Sequence, residues 1–295
     1  MGGEWVPPHK IESLYAATDG NKFSGLNRPT AGVRSEQEFA PKTQAGLQLY
    51  SLATPNGQKV GLILEELGID YDAFVINLNG PQFSTGFVQA NPNSKIPAAI
   101  DLNGPEGKPI SLFESASIML YLAEKHGKFV PKDVRGRTEC MNWLFWQMAG
   151  QGPMTGNFGH FMVYAPAELD RDYGVARYGM EVQRLCSVLD SHLKDHEYMA
   201  GGEYSIADMA CLPWFQAIRG PKTYLHPSGV GAQQFLSVAS YKHACAWADR
   251  LMQRPQVQRG MAVCRGSPKP WEDAEKWPKM LATIMNYDMR APSKL

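Results

Sequence analysis

With 295 residues the chain is long enough for one or two domains with sizeable cores, and its 44% hydrophobic residues are typical of a globular protein. The 29 basic residues balance the 29 acidic ones, so the formal net charge of zero argues against a broad nucleic-acid-binding surface and leaves only a local basic patch open. Because no run of 18 apolar residues occurs and residues 1–6 lack the basic and apolar parts of a signal peptide, we expect no membrane span and a cytoplasmic protein.

The first 45 residues form a segment with little hydrophobic periodicity. Turn-forming pairs such as Pro7-Pro8 and Arg28-Pro29 interrupt it. We therefore interpret residues 1–45 as an extended arm that lies on the surface of the body, although a frayed tail explains most of the segment equally well.

Residues 46–130 alternate between strand and helix signals. Residues 47–51 predict a short strand, and Thr54 and Pro55 suit the N-cap and the first position of a helix that runs to residue 67. The order of the elements predicts a compact mixed α/β unit. The elements that follow the first helix are a strand over 71–76, two hairpin strands over 98–102 and 110–113, and a closing helix over 114–126.

From residue 135 onward the strand signals vanish. Ser205 and Asp208 have the spacing of a capping box at a helix start, and the turn around Pro153 is expected to break a helix. We therefore predict an all-helical unit over 135–265, followed by an irregular C-terminal tail over 266–295. The predicted helices cover residues 137–151, 173–194, 205–219 and 241–254.

The five cysteines are dispersed, and none forms a Cys-x-x-Cys pair or has the spacing of metal ligands, so we expect no metal centre. An odd, dispersed set suits a reducing compartment, and most of the five are expected to be small core residues. No cysteine precedes residue 140, so the α/β unit has no thiol of its own. The five are Cys140, Cys186, Cys211, Cys245 and Cys264.

Four short segments stand in a particular order and spacing. They are Tyr50-Ser51-x-x-Thr54-Pro55-Asn56-Gly57-Gln58-Lys59-Val60, Asn91-Pro92-Asn93-Ser94-Lys95-Ile96-Pro97-Ala98, Phe113-Glu114-Ser115-x-x-Ile118 and Ser205-Ile206-Ala207-Asp208. No single segment is specific, but the combination resembles the glutathione transferase superfamily from residue 27 to residue 265. The first segment resembles the nu-class, or disulfide-bond oxidoreductase, branch, which is similar to the folded domain of the fungal nitrogen-regulator prion protein.

The resemblance implies a fold and a ligand. The fold is an N-terminal thioredoxin-like domain over 46–130 followed by a helical-bundle domain of glutathione transferase type over 135–265, assembled as a homodimer. The ligand is glutathione, and Pro97 would be a cis-proline that presents the backbone of Ile96 to its cysteinyl part. The other contacts implied for this ligand are Lys95 at the glycyl carboxylate, Glu114 and Ser115 at the γ-glutamyl carboxylate, and a nearby Gln82.

Each of these residues also has an ordinary structural interpretation when it is taken alone. Thr54 is then only a helix cap, and Lys95 is a solvated surface lysine. Pro97 is then a trans turn residue, and Glu114-Ser115 is capping chemistry. The joint spacing is what favours ligand binding.

The chemistry of glutathione depends on its thiolate, because a free thiol has a pKa of about 8.5 and is weakly reactive when protonated. Thr54 and Asn56 can donate hydrogen bonds to the sulfur, and Pro55 places both at a helix N-terminus, where the potential is positive. Since the α/β unit contains no cysteine, the nucleophile has to be the sulfur of the ligand. We therefore predict Thr54 and Asn56 as the catalytic residues.

The branch resemblance further implies two glutathione molecules, or one oxidised glutathione, in a single site. Contacts to the second molecule are implied for Asn27, Tyr173 and Arg177, of which the last two lie one helical turn apart; a surface salt bridge is the ordinary interpretation of Arg177. The predicted function is a glutathione-dependent reductase of small disulfides. Two alternatives stay open: a conjugating transferase or peroxidase that uses the same thiolate, and a regulatory glutathione-binding protein without turnover.

Overall fold

The computed structural model of the chain describes residues 6–18, 30–40, 42–78, 80–166 and 170–286, and the side chains of 16–18 are not included. Asn27, predicted to contact a second glutathione, lies outside the described residues. Within the described ranges, no helix has the length and apolar character that crossing a membrane requires.

A four-stranded mixed sheet organises the first unit. The strands are β1 Leu47–Ser51, β2 Asp72–Val75, β3 Ala98–Asp101 and β4 Ile110–Phe113, in the spatial order β2-β1-β3-β4. β1 runs parallel to β2 and antiparallel to β3, and β3 runs antiparallel to β4. Consequently the chain leaves β1, β2 and β4, and enters β3, at the same end of the sheet.

The first helix, α1 (Pro55–Leu67), begins and ends as its sequence predicts. The Thr54 hydroxyl accepts a hydrogen bond from the Gly57 N–H, and Pro55 occupies the first turn, where a missing N–H costs nothing. Gly68 ends the helix in the left-handed conformation, with φ of 66°. The helix packs against α3 (Ser115–His126) on one face of the sheet, and its buried side chains belong to a core that continues into the helical unit.

The opposite face of the sheet is covered by the helix α2 (Thr85–Ala90) and by part of the N-terminal arm. The Tyr50 and Phe74 rings stack with centroids 5.0 Å apart, and Phe39 of the arm packs edge-on against both. The Arg34 guanidinium lies 3.5 Å from the centroid of the Phe83 ring. Arg34 and Phe39 of the arm therefore contact the body, and the interpretation of residues 1–45 as an extended arm stays a prediction.

The second unit is helical. Its helices in the described residues are α4 Val134–Trp146, α5 Gly152–Gly159, α6 Asp172–Leu193, α7 Ile206–Arg219, α8 Ala232–Phe235, α9 Lys242–Met252, α10 Pro255–Gly260 and α11 Trp277–Met285. Short π-helical segments, Gln147–Gln151 and His160–Tyr164, follow α4 and α5 without a break.

The predicted helix break around Pro153 is wrong. Gly152 has helical dihedrals, and its N–H bonds to the Gln147 carbonyl five residues back rather than four. This widened π turn lets the helix run through a proline that lacks an N–H. The helix therefore changes its hydrogen-bond register at Gln147–Gln151 instead of ending there.

The prediction of an irregular C-terminal tail is wrong for α11. Pro278 stands in the first turn of that helix, where proline is tolerated, so it marks a helix start and not a helix stop. Ile284 is fully buried and belongs to the shared hydrophobic core. This helix therefore contributes to the packed body.

The contact between α1 and α10 joins the two units. A Cβ built on Gly61 would lie 2.4 Å from the Gly260 carbonyl oxygen, so the two backbones touch and only glycine fits there. Arg254 forms two parallel hydrogen bonds of 2.7 and 2.8 Å with the buried Glu66 carboxylate. Arg259 pairs with Glu65 at 2.7 Å, so the distance between α1 and the helical unit is closely constrained.

The predicted capping box at the start of α7 is confirmed, and its carboxylate does more than cap. Asp208 is fully buried and accepts from the Met199 N–H, the Trp247 indole N–H and the Ser205 N–H and hydroxyl, at 2.9 to 3.2 Å. Burial raises the pKa of Asp208 to about 6, which leaves it ionised at neutral pH. The side chain thus ties α7 to the preceding loop and to α9.

We expect Asp208→Ala to lower the free energy of unfolding by about 3–5 kcal/mol, because several buried N–H and O–H donors lose their acceptor. Asp133→Ala is the matched control: Asp133 also caps a helix, α4, but on the surface, through one hydrogen bond from Gly136, and its loss should cost about 1 kcal/mol. Urea unfolding of both variants measures the difference. Equal losses would mean that the Asp208 network adds nothing beyond capping.

Candidate functional site

The end of the sheet where β1 and β4 finish and β3 starts collects most of the predicted site. The register pairs Tyr50 with Ala98 and Ala98 with Phe113. Thr54, Pro97 and Glu114 follow or precede these residues by one to four positions, so the strand pairing places their segments side by side. Helices α1 and α3 both begin at this edge and point their N-termini toward it.

The side chains of Thr54 and Asn56 are fixed in different ways. Thr54 accepts from the Gly57 N–H at 3.3 Å and keeps its own O–H available as a donor. The Asn56 Oδ1 accepts the indole N–H of Trp214, from α7, at 2.9 Å. Because an indole nitrogen only donates, this bond decides which amide atom is oxygen and leaves the Asn56 NH₂ group as the free donor.

A cavity of about 380 Å³ opens beside Asn56, between the starts of α1 and α3 on one side and the α5 and α7 helices on the other. It is thus built from both units of the chain. Its lining residues are Asn56, Lys59, Glu114, Gln147, Met148, Gly152, Pro153, Gly156, Asn157 and Trp214.

Two glycines of α5 lie against the Trp214 indole in the wall of the cavity. A Cβ on Gly152 would lie 3.0 Å from the Gln147 Nε2 and 3.3 Å from the Trp214 indole nitrogen. A Cβ on Gly156 would lie 3.4 Å from the indole ring. The backbone at Gly152 therefore packs closely against the indole and the Gln147 amide, whereas a Cβ at Gly156 would only touch the indole ring.

Lys59 places a buried amine in the wall of this cavity. Its side chain leaves α1 one turn after Asn56, on the same face, and the residue is 1% exposed. The Nζ donates to the Gln147 Oε1 at 2.5 Å and to the Met148 Sδ at 3.2 Å, both in the π turn. Burial lowers the pKa of Lys59 to about 7, although the Cys211 thiol and the Glu114 carboxylate act in the opposite direction.

The loop before β3 and the start of α3 adopt special backbone conformations. The peptide bond between Ile96 and Pro97 is cis, as predicted. Glu114 is exposed and has φ of 66° at the position just before α3. The buried Ser115 hydroxyl lies 3.7 Å from the Met148 sulfur, and Lys95 is exposed at the rim of the same edge.

Of the predicted site residues that the structure describes, only Asn56 and Glu114 line this cavity, and Gln82, Tyr173 and Arg177 are engaged elsewhere or exposed. Gln82 is 3% exposed, and its side-chain oxygen accepts from the Gly80 N–H in its own turn at 3.2 Å. Tyr173 and Arg177 lie on the exposed face of the first two turns of α6, and Tyr173 is 81% exposed. Their predicted ligand contacts stay predictions.

Lys59, Gln147 and Trp214 are site residues that the sequence interpretation did not identify. Lys59 had a signal in the sequence, because it stands three residues after Asn56 on a predicted helix. Gln147 and Trp214 had none: they are 88 and 158 residues away from their partners on α1.

Comparisons with known proteins place this arrangement among glutathione enzymes. The family model described as glutathione S-transferase, N-terminal domain, matches residues 53–125, and the one described as the C-terminal domain matches residues 175–255. The chain is 47% identical over 253 residues to the disulfide-bond oxidoreductase YghU of Escherichia coli K12, which covers 83% of this chain and 84% of that protein.

Solved structures agree with the sequence matches. The glutathione transferase YghU from Streptococcus pneumoniae, complexed with glutathione, superposes with a TM-score of 0.77 at 41% identity and covers 89% of this chain and 98% of its own. A glutathione transferase from Burkholderia graminis, with two glutathione molecules bound per subunit, superposes with a TM-score of 0.71 at 38% identity, covering 77% and 92%.

The buried lysine makes stability depend on pH. Its pKa is about 7 in the folded chain and about 10.5 when exposed in the unfolded chain, so the unfolded state binds more protons between these values. The lysine therefore costs stability below pH 7, and that cost is relieved as pH rises. We therefore expect Lys59→Met to have a higher free energy of unfolding than the original chain at pH 7. This difference should become smaller between pH 7 and 9, by up to about 1.4 kcal/mol per pH unit.

Urea unfolding at pH 7, 8 and 9 measures this trend. Lys279→Met, which removes an exposed lysine of α11, is the control and should leave a constant difference. A constant difference for Lys59→Met as well would show that Lys59 is charged throughout this range in the folded chain.

Proposed function

This chain belongs to the glutathione S-transferase family, and from that premise we propose that it reduces disulfide bonds of small molecules with the thiol of bound glutathione. It is an enzyme of the disulfide-bond oxidoreductase type. The observation that carries the proposal is the Asn56 amide, which Trp214 holds with its donor group free at the N-terminus of α1. A helix N-terminus with oriented donors favours a thiolate over a thiol.

The cysteines of the protein support the assignment of the reactive sulfur to the ligand. Cys140, Cys186, Cys211 and Cys264 are buried, and Cys245 is half-buried. Burial raises the pKa of all five thiols, to about 12 for Cys186 and Cys264. A nucleophilic cysteine needs the opposite shift.

The N-terminus of α1 provides the stabilisation that the ligand's thiolate needs. Lowering a thiol pKa by one unit requires about 1.4 kcal/mol of preferential stabilisation of the anion. The Thr54 O–H and the Asn56 NH₂ are two donors for the sulfur, and the helix end adds a positive potential. A hydrogen bond to a charged acceptor contributes about 1.5–3 kcal/mol, so even one of the donors is sufficient.

The rest of the first glutathione would extend along the edge of the sheet. The Ile96 backbone beside the buried Pro97 would pair with its cysteinyl part, and the exposed Lys95 would meet its glycyl carboxylate. Glu114 and Ser115 would hold its γ-glutamyl end, where the N–H groups that begin α3 point toward the ligand.

A second glutathione in the same site completes the reaction. The first thiolate attacks the substrate disulfide RSSR, forms the mixed disulfide GSSR and releases RS⁻. The second thiolate attacks the glutathione sulfur of GSSR, forms GSSG and releases the other RS⁻. Two glutathiones lose two electrons and two protons, and the disulfide RSSR gains them as it becomes two RSH molecules. We assign Gln82, Tyr173, Arg177 and Asn27 to the contacts of the two tripeptides on the strength of the family likeness alone.

The family likeness also extends to assembly and location: we propose a cytoplasmic homodimer that needs neither a metal nor a nucleic acid or membrane partner. The function is tested by the turnover of 2-hydroxyethyl disulfide with reduced glutathione, compared with the conjugation of 1-chloro-2,4-dinitrobenzene. Fast disulfide turnover with slow conjugation supports the reductase. The reverse pattern identifies a conjugating transferase, and glutathione binding without either reaction identifies a regulatory protein.

Thr54→Ala and Asn56→Ala should each lower kcat/KM for disulfide reduction by about tenfold to a hundredfold, the cost of 1.4–3 kcal/mol of thiolate stabilisation. Thr54→Ser, which keeps the hydroxyl, is the matched control and should retain most of the activity. Steady-state kinetics measures the loss. A variant with unchanged kcat/KM removes that residue from the mechanism.

A chain in which all five cysteines are replaced by alanine or serine should keep its disulfide reductase activity within about threefold, because the reacting sulfur belongs to glutathione. Circular dichroism and glutathione binding confirm that the variant folds. If the folded variant binds glutathione but no longer turns over the disulfide, the mechanism uses a sulfur of the protein instead.

A further inference from the structure

Lys59 is the feature of the site that thiolate stabilisation by Thr54 and Asn56 does not explain. A lysine is rarely buried without an ionic partner, because removing the ammonium from water is costly. Here the residue is 1% exposed, and its Nζ bonds to a neutral amide oxygen and a thioether sulfur. In the described part of the chain no carboxylate pairs with it.

The partners of Lys59 match the hydrogen-bonding capacity of a neutral amine. A neutral amine has two N–H groups and one lone pair, and two acceptors are present, the Gln147 Oε1 and the Met148 Sδ. An ammonium group has three N–H groups, and within the described ranges its third one would lack an acceptor. The local structure therefore suits the neutral amine of Lys59, whose nitrogen lone pair stays available to accept a proton.

The surroundings of Lys59 are weakly charged. Among the helices packed against α1, α7 contributes the buried Cys211 thiol, and the residue before α3 is Glu114. From α10 the charged group is Arg259, which is paired with Glu65 near the other end of α1. Because burial outweighs these charges, the pKa of Lys59 falls to about 7, so the amine is largely neutral in mildly alkaline solution.

We propose that Lys59 is the proton acceptor that converts the thiol of bound glutathione into the thiolate. The inference rests on the proposed function and deepens it. Lys59 and Asn56 line the same cavity from the same face of α1, so a sulfur held by the Asn56 amide lies on the side of the helix from which Lys59 projects.

The proton transfer balances without any further reactant. The S–H bond of glutathione breaks, its electron pair stays on sulfur, and the proton binds the lone pair of the Lys59 amine. The resulting ammonium directs its third N–H to the thiolate, so the ion pair supplies the acceptor that the ammonium lacked. When the thiolate has attacked the disulfide, the ammonium returns the proton to the leaving RS⁻ and the amine is restored.

The test compares the original chain with Lys59→Met, which replaces the amine by an apolar side chain of similar length. The ultraviolet absorbance of the bound thiolate at about 240 nm, recorded against pH, gives the pKa of the glutathione thiol in the complex. We expect Lys59→Met to bind glutathione and to hold about tenfold less of it as thiolate at pH 7, which is a rise of one unit in the thiol pKa. Lys279→Met should behave like the original chain.

A proton count provides a second measurement that needs no variant. Calorimetry of glutathione binding at pH 8 in buffers of different ionisation enthalpy gives the protons released. If Lys59 accepts the thiol proton, the original chain forms the thiolate but keeps the proton inside the complex. It then releases less than about half a proton per glutathione into the buffer.

Two results overturn the proposal: an unchanged thiol pKa in Lys59→Met, or the release of about one proton for each thiolate formed in the original chain. Neither depends on turnover. If the original chain shows a Lys59-dependent thiolate but reduces no disulfide, the proposed function fails and the role of Lys59 stands.

Discussion

The close docking of the helical unit on α1 is the constraint on which the site depends. The glycine contact between Gly61 and Gly260 brings two backbones together, and the arginine–glutamate pairs beside it hold that approach. With this spacing set, α7 brings the Trp214 indole within hydrogen-bond distance of Asn56. A small change in the distance between the units would break the Trp214–Asn56 hydrogen bond, which orients the donor that we propose for the ligand's sulfur.

The π turn, the buried lysine and the cavity are parts of one arrangement. The π turn lets the helix pass through Pro153 and turns the side chains of Gln147 and Met148 toward Lys59. The same stretch leads into α5, where Gly152 and Gly156 lie against the Trp214 indole. Two acceptors therefore limit the free-energy cost of burying the Lys59 amine, which lies where we propose the proton transfer.

The cysteines of the chain have a structural role, and the proposed reaction uses the sulfur of the ligand instead. Four of the five cysteines are core residues of the helical unit, and burial raises the pKa of all five thiols and so keeps them protonated. The groups near the cavity are donors, a helix N-terminus and an amine, and in the proposed mechanism they act on a sulfur that arrives with the ligand. Such a site needs no protein thiol to be kept reduced between turnovers.

By itself, the sequence determined the elements whose signals are local. The Thr54 cap, the four strands, the capping box at Asp208 and the order of helices follow from residues within one or two turns of each other. Only the tertiary structure decided that Trp214 orients Asn56, that Gln147 meets Lys59 and that the helix widens at Pro153 instead of breaking. The first two features depend on contacts between residues 158 and 88 positions apart, and a local pattern carries no information about which distant side chain will arrive.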